Sequence, residues 1–426
     1  MKQTRIIALF TALVLLLCAL PALAEDMQLK QVTILSRHNL RAPLSSNGSV
    51  PEELTPHQWI EWTGNSSELT LKGGVLETRM GQYFRKYLES AGLIPENWVP
   101  EDGQVLFMAR DKQRCTATAR YFATGMLPMA NTTVEKPGEV DIFKPVLHYF
   151  SDAYADAAIA QLGDMIGQGG FKAVDAQFRD AIALVMKVSD MQDSEIYKSG
   201  KYGDLMADTS TMLLEADKEP DFAGPIKTAC QVADALLLQY YESPDPVAAA
   251  FGHDMTDADW AAVGNLLARF YHLRHGAPLV AVNIANPLIK TLREELEKPG
   301  RLFSFLCGHD VNIVGVLSAL GVQDYELPDT LETYVPIGAK LVFERYENAA
   351  GDSRYDVSLI YQSLDQLRNV TELTLKNPPM KYSLSFEGIE RGEDGCFSEA
   401  DVLLLFDRAI AAYDNLESEY ALPNAA

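Results

Sequence analysis

The sequence predicts an α/β protein: a doubly wound mixed sheet with helices on both faces, interrupted by an inserted all-helical domain. Three observations carry that expectation. First, a short apolar run breaks into a charged loop near residues 31–43, 104–114 and 302–312, and the last two run on into helical patterns. Strands followed by helices are the building unit of such sheets. Second, residues 152–274 are rich in alanine, leucine and methionine at helical spacing, with no strand pattern. Third, residues 339–346 and 355–362 are two apolar runs separated by Gly351-Asp352, which reads as a pair of strands joined by a turn.

Taken in order, residues 1–24 are set apart. Lys2 and Arg5 precede an apolar run of about fifteen residues ending in Ala22-Leu23-Ala24, the pattern of a secretory signal peptide and too short to remain as a membrane span. Cys18 raises a lipoprotein alternative, but Leu15-Leu16-Leu17 lacks the small residue expected before a lipidated cysteine. In residues 31–43, Val32, Ile34 and Leu35 read as a buried strand, and Pro43 bars its continuation. Residues 69–93 place Leu76, Met80, Tyr83, Phe84, Tyr87 and Leu88 at helical spacing, with Gly92 as the stop. Residues 104–109 form a second strand, and a helix begins near Arg114. Helices are expected over 154–166, 173–188, 225–241 and 257–273, then 288–296. A strand over 302–307 leads through Gly308-His309-Asp310 into a helix over 313–320, and a last helix covers 398–413. The expected division is therefore a discontinuous α/β domain, 25–150 with 276–426, and a helical lid, 151–275.

Composition narrows the function classes. The chain of 426 residues carries 36 basic and 59 acidic residues, a net charge of −23. Without Lys2 and Arg5 the balance is 34 against 59, or −25. So acidic a surface argues against nucleic acid and anionic membrane as partners. No stretch after the first two dozen residues is long and apolar enough to span a bilayer, so an exported protein, periplasmic in a bacterium, is expected, as a monomer or weak dimer. Cys115, Cys230, Cys307 and Cys396 allow three disulfide pairings or free buried thiols. No Cys-x-x-Cys or Cys/His zinc spacing occurs, and neither metal nor cofactor is expected.

Chemistry gathers at the ends of the predicted strands. Arg37, His38 and Arg41 follow the first, Arg114 follows the second, and His309 with Asp310 follows the third. Ligands bind beyond the carboxyl ends of strands in open α/β sheets. Guanidinium groups grip planar oxyanions in bidentate fashion. Three guanidiniums, two imidazoles and one carboxyl group are the parts phosphoryl transfer needs: charge neutralisation, an in-line nucleophile and an acid for the departing alkoxide. An R-H-x-x-R string also fits a solvated loop, and these residue types also build salt-bridged cores. With Asp310 the one acid in the set, however, a surplus of positive charge would await a bound dianion.

Arg37-His38-Asn39-Leu40-Arg41-Ala42-Pro43 resembles the R-H-G-x-R-x-P signature of histidine acid phosphatases, and His309-Asp310 resembles that family's H-D pair about 270 residues later. The stretches SRHNLRAPL, LTLKGGVLE, QRCTATARYF, PIGAKLVFERY and YQSLDQLRN are similar to the family's periplasmic glucose-1-phosphatases. The resemblance covers most of both α/β regions and little of the helical middle. It implies a phosphoglycerate-mutase-like sheet and a metal-free phosphomonoesterase with a small phosphate monoester as substrate. It further implies His38 as nucleophile, Asp310 as general acid, and Arg37, Arg41, Arg114 and His309 as phosphate ligands. Asn39 departs from the signature glycine but agrees with the glucose-1-phosphatase wording. Glu219 stands where that subgroup places a sugar-contacting carboxylate, against a plain solvated acid, and Leu40 either touches the sugar or packs.

Other strings compete. Arg274-His275-Gly276-Ala277-Pro278 follows a helix and lacks the second arginine. Gly252-His253-Asp254 precedes a helix for which Asp254 or Thr256 is a simpler cap. His57, His148 and His272 have no partners at useful spacing and read as surface or core residues. A phytase or broad acid phosphatase is the alternative enzyme. The acids Asp152, Asp156, Asp164, Asp190, Asp193 and Glu195 favour a small sugar phosphate over phytate. A non-catalytic phospho-sugar binding protein is the alternative of another class.

Overall fold

The computed structural model describes residues 27–44 and 49–421. The expected signal segment and Cys18 lie outside the described residues. In chain order the strands are β1 (Gln28–Arg37), β2 (Val105–Ala109), β3 (Thr211–Leu213), β4 (Asp221–Ala223), β5 (Phe303–Gly308), β6 (Lys340–Glu347), β7 (Ser353–Tyr361), β8 (Met380–Ser383) and β9 (Phe397–Ser398). Seven of them form one mixed sheet in the order β2-β5-β1-β6-β7-β8, with β9 beside β7. The β2, β5 and β1 ribbons are parallel; β6 to β9 pair antiparallel.

Register is what positions the site. Arg37 lies opposite Gly308, and Ala109 opposite Cys307, so three parallel strands end at one level. Ser36 faces Lys340, so the start of β6 lies at the same edge. Period-2 alternation sends Val32, Ile34, Phe305 and Val342 to one face and Leu35, Leu306 and Leu341 to the other. The first face is covered by α1 (Leu71–Ser90) and α2 (Gln113–Met126). Phe122 of α2 stacks on Phe305 with ring centroids 4.3 Å apart.

The second face packs into a larger apolar core. That core also holds the side chains of α3 (Asp152–Ile166), α4 (Val174–Val188), α5 (Pro225–Glu242), α6 (Asp257–His275), α7 (Pro278–Leu296), α8 (Asp310–Ala319) and α9 (Glu399–Asp414). Gly92 does end the first helix, at φ +74°, with its N–H donated to the Glu89 carbonyl.

Two expectations need correction, and one open alternative is decided. Helix α7 begins ten residues earlier than read, at Pro278, because that proline occupies the first turn and the helix runs through Pro287, which resembles a start signal. The middle segment contains the β3–β4 hairpin, whose three-residue strands are too short to leave a period-2 pattern. Of the two alternatives open for the cysteines, the four described ones are free thiols, Cys115, Cys230 and Cys307 being buried.

The α1–α2 crossing is tight enough to demand glycine. A Cβ on Gly81 would lie 2.2 Å from the Phe122 carbonyl oxygen, and one on Gly125 would lie 2.1 Å from that of Thr78. Gly81→Ala should lower the unfolding free energy by about 1–3 kcal/mol. Gly138→Ala, whose Cβ meets nothing within 4 Å, should leave it unchanged; urea denaturation of the two variants measures the difference.

Candidate functional site

The ends of β1, β2 and β5 bring Arg37, His38, Arg41, Arg114, His309 and Asp310 into one buried crevice. Arg37 is the last residue of β1 and only 3% exposed. Its Nη1 donates to Glu332 Oε1 at 2.5 Å and to the Val335 carbonyl at 2.6 Å, while Nη2 lies 3.1 Å from Asp310 Oδ2. Burial alone would depress its pKa, but the Glu332 and Asp310 carboxylates outweigh that and raise it. Arg41 makes a two-pronged contact with Asp234, Nη2 lying 3.1 Å from each carboxylate oxygen. Arg114, in the first turn of α2, donates to the Ser67 carbonyl at 3.4 Å and has no carboxylate at ion-pair distance among the described residues. Burial, then Arg41, pulls its pKa down.

One pattern links the three. The Nε–H groups of Arg37, Arg41 and Arg114 are all buried without a hydrogen-bond partner. Unpaired buried donors are costly and rare. Here all three belong to cations whose charges bear on the same imidazole.

His38 has its Nδ1 2.8 Å from its neighbour's carbonyl, Asn39 O. A carbonyl only accepts, so Nδ1 carries the proton and Nε2 is the bare nitrogen. Burial, followed by Arg114, His309, Arg41 and Arg37, holds the His38 pKa well below 6.5. His309 meets it edge-on, with ring centroids 5.3 Å apart, and is likewise kept neutral by burial and by Arg114, Arg110, Arg41 and Arg37. The helix α8 starts at Asp310 itself, three residues before the expected start. Asp310 Oδ1 accepts the Val311 N–H at 2.7 Å, and Oδ2 faces Arg37. The turn before it is locked by Asn312, whose Oδ1 accepts the His309 N–H at 2.8 Å and whose Nδ2 donates to the Phe143 carbonyl at 2.9 Å.

Sequence reading missed two members. It counted Asp310 as the only acid, whereas Glu332 and Asp234 each hold an arginine. Nothing marks either carboxylate in the sequence: Glu332 sits in an irregular loop and Asp234 on α5, among apolar residues. The charge count is therefore even, and the unmet demand of the site lies in its orphaned N–H donors.

Glu219 lies between β3 and β4, where Arg274 Nη2 reaches it at 3.1 Å and His275 Nε2 at 3.5 Å. The competing Arg274-His275 string thus anchors the Glu219 loop. Burial would raise the Glu219 pKa, but His275, Arg274 and Arg110 hold it low. Leu40 packs: its side chain is wholly buried in the core. The Gly252-His253-Asp254 string only precedes α6, whose N-cap is Thr256, one of the two caps expected. His57 does have a partner, contrary to expectation: His57 Nε2 and His253 Nε2 lie 2.7 and 3.0 Å from the same oxygen of Asp190, because the fold brings three distant loops together.

Next to Arg41 and its Asp234 is a cavity of about 150 Å³, lined among others by Asp221, Lys227, Gln231, Asp234, Tyr271 and Arg274. No group of three or more His, Cys, Asp or Glu arranged to hold a metal ion occurs among the described residues. No helix there is long and apolar enough to cross a membrane.

Residues 28–163 and 239–362 match the family described as histidine phosphatase superfamily (branch 2). The chain is 35% identical to a glucose-1-phosphatase of Salmonella typhimurium, over 91% of this chain and 94% of that one. It is 30% identical to a glucose-1-phosphatase of Providencia rettgeri, over 90% and 93% of the two chains. Among solved structures, the apo form of Hafnia alvei phytase superposes with a TM-score of 0.81 at 25% identity, over 92% of this chain and 99% of that one.

The Arg37–Glu332 pair is nearly inaccessible to water on both sides, at 3% and 4% exposure. Removing one partner leaves an uncompensated buried charge. Glu332→Ala should therefore cost about 3–5 kcal/mol of stability, read by chemical denaturation.

Proposed function

This chain belongs to branch 2 of the histidine phosphatase superfamily and is a phosphoric monoester hydrolase; on that premise we propose that it cleaves small sugar phosphates such as glucose 1-phosphate through a phosphoryl group carried on His38. The observation that carries the reading is the set of three buried, unpartnered guanidinium N–H donors around a neutral imidazole. Phosphate oxygens entering the crevice would meet the guanidinium groups of Arg37, Arg41 and Arg114, and charge-assisted bonds of that kind are the strong ones.

In this reading the site residues divide the work of phosphoryl transfer. Arg37, Arg41 and Arg114, with His309, bind and neutralise the phosphate oxygens. His38 Nε2 attacks phosphorus while the bond to the ester oxygen breaks, and Asp310 gives its proton to that oxygen. The alcohol leaves. Water then attacks the phosphohistidine, its proton passes to the Asp310 carboxylate, the P–N bond breaks, and inorganic phosphate departs. The Arg37–Asp310 contact at 3.1 Å keeps the acid beside the group that grips the phosphate. His38 stays bare in mildly acidic medium, because burial and then the surrounding arginines and His309 hold its pKa well below 6.5.

The helical segment 151–275 acts as the roof of the crevice in this reading, contributing Asp234 and Glu219. The cavity beside Arg41 is small, and Asp221 and Asp234 line it. That favours a neutral polyol over a further phosphate, with Glu219 as the carboxylate nearest to a sugar-contacting role. Phytate is the second reading, favoured by the likeness to Hafnia alvei phytase and by Lys227 and Arg274 in the lining. The N-terminal apolar segment supports export to the periplasm.

Relative rates on glucose 1-phosphate and phytate at mildly acidic pH test the substrate, and trapping of a labelled phosphoryl group separates an enzyme from a binding protein. His38→Ala should lose both turnover and the covalent adduct; retention of substantial activity on an aryl phosphate would remove His38 from its role. Asp310→Asn should slow alkyl phosphates far more than activated aryl phosphates, and equal losses on both would sink the acid assignment. Arg114→Gln removes a cation that disfavours the imidazolium of His38. The acid limb of kcat/KM should therefore move to higher pH, and KM should rise about 10- to 100-fold, the worth of a hydrogen bond between charged groups.

A further inference from the structure

Beneath the nucleophile lies a buried ion pair that the proposed chemistry does not use. Glu77 of α1 and Lys340 of β6 are both fully inaccessible, with Lys340 Nζ 2.8 Å from Glu77 Oε1. Lys340 also donates to Ser36 Oγ at 3.2 Å and to the Gly338 carbonyl at 3.0 Å, and its ammonium stands over the rings of Phe122 and Phe305. Buried pairs of this kind are weak evidence for stability, since apolar residues of similar volume often serve as well.

What the pair touches is informative. The second Glu77 oxygen, Oε2, accepts from Asn39 Nδ2 at 2.8 Å. The other end of the same amide, Oδ1, accepts the Leu40 N–H at 2.8 Å. That N–H belongs to the peptide unit whose carbonyl, Asn39 O, accepts the His38 Nδ1 proton at 2.8 Å. Both ends of one peptide plane are therefore held: the oxygen by His38 and the N–H by a side chain that Glu77 fixes. The backbone on either side is also tied, with Asn39 N–H donating to Thr118 Oγ1 at 3.1 Å and the Leu40 carbonyl accepting from Thr70 N–H at 3.0 Å. Room for the amide is kept by Gly338, whose Cβ would fall 2.7 Å from Asn39 Nδ2.

We infer that Asn39 is a positioning residue, and that the Glu77–Lys340 pair sets, through the Asn39 amide, the peptide plane that orients the His38 ring and keeps its proton on Nδ1. The inference rests on His38 being the nucleophile. A peptide unit free to rotate would let the ring tilt and exchange tautomers, and each would lower the fraction of enzyme poised for in-line attack. Ground-state phosphate binding, made by the arginines, would not change.

The test is rapid-quench measurement of phosphoryl-enzyme formation with an aryl phosphate. The variants are Asn39→Gly, the paired substitution Glu77→Leu with Lys340→Met, and all three changes together. Thermal unfolding confirms folding, and the paired substitution replaces the ion pair by apolar volume so that no lone charge is buried. The expected result is a burst rate about tenfold lower in each, equivalent to about 1.4 kcal/mol, with the substrate concentration giving half-maximal burst rate within about twofold of the parent and the triple change no worse than the paired one. Burst amplitude counts competent sites, so a merely structural role would reduce amplitude and leave the rate. A folded Asn39→Gly protein with the parental burst rate, or losses that multiply in the triple variant, would overturn the inference. Absence of a phosphoryl-enzyme in the parent would instead overturn the nucleophile assignment.

Discussion

A guanidinium taken out of water must be given partners, and the crevice is built around that demand. Arg37 at the end of β1 is almost fully enclosed and lies between Glu332 and Asp310. The first carboxylate fixes the guanidinium plane, and the second is brought to the crevice by the same contact. Arg41 is fixed in its turn by Asp234. These acids balance the cations overall while leaving one N–H of each of three arginines unmet. The crevice is thus near neutrality in charge yet unsatisfied in hydrogen bonding, which suits an oxyanion that must enter and leave.

The sheet makes this arrangement possible through register. Neighbouring parallel strands that end level with one another set three loops side by side. Each loop is then pinned by a different device: Glu77 and Lys340 under the first, the first turn of α2 for Arg114, and Asn312 for the His309 turn. The crevice lies on a protein of net charge −23, so its pull on anions is local, exerted by short-range donors and not by the overall field.

Much of this could be read before the fold was known. Helices α1, α4 and α6 were readable because their apolar residues recur at a strict helical period, and β5 because its run is wholly apolar. The polar residues at three strand ends were readable because strand–loop–helix units in an α/β protein send their loops to one side of the sheet. Reading failed where local signals misled or were absent. Pro287 looks like a helix start yet lies inside α7. The β3–β4 hairpin has too few residues to show alternation. His57 and His253 find Asp190 only because distant loops meet.

The proposed reacting groups are legible along the chain, since R-H-x-x-R and His-Asp each place their functional atoms within a few residues of a strand end. Local spacing can fix such groups because the backbone between them is short. The partners were settled by folding alone. Glu332 and Asp234 lie 295 and 193 residues from their arginines, and no local pattern can encode a contact across that distance. Whether a buried cation is surplus or balanced depends on what packs against it, and that depends on the whole fold.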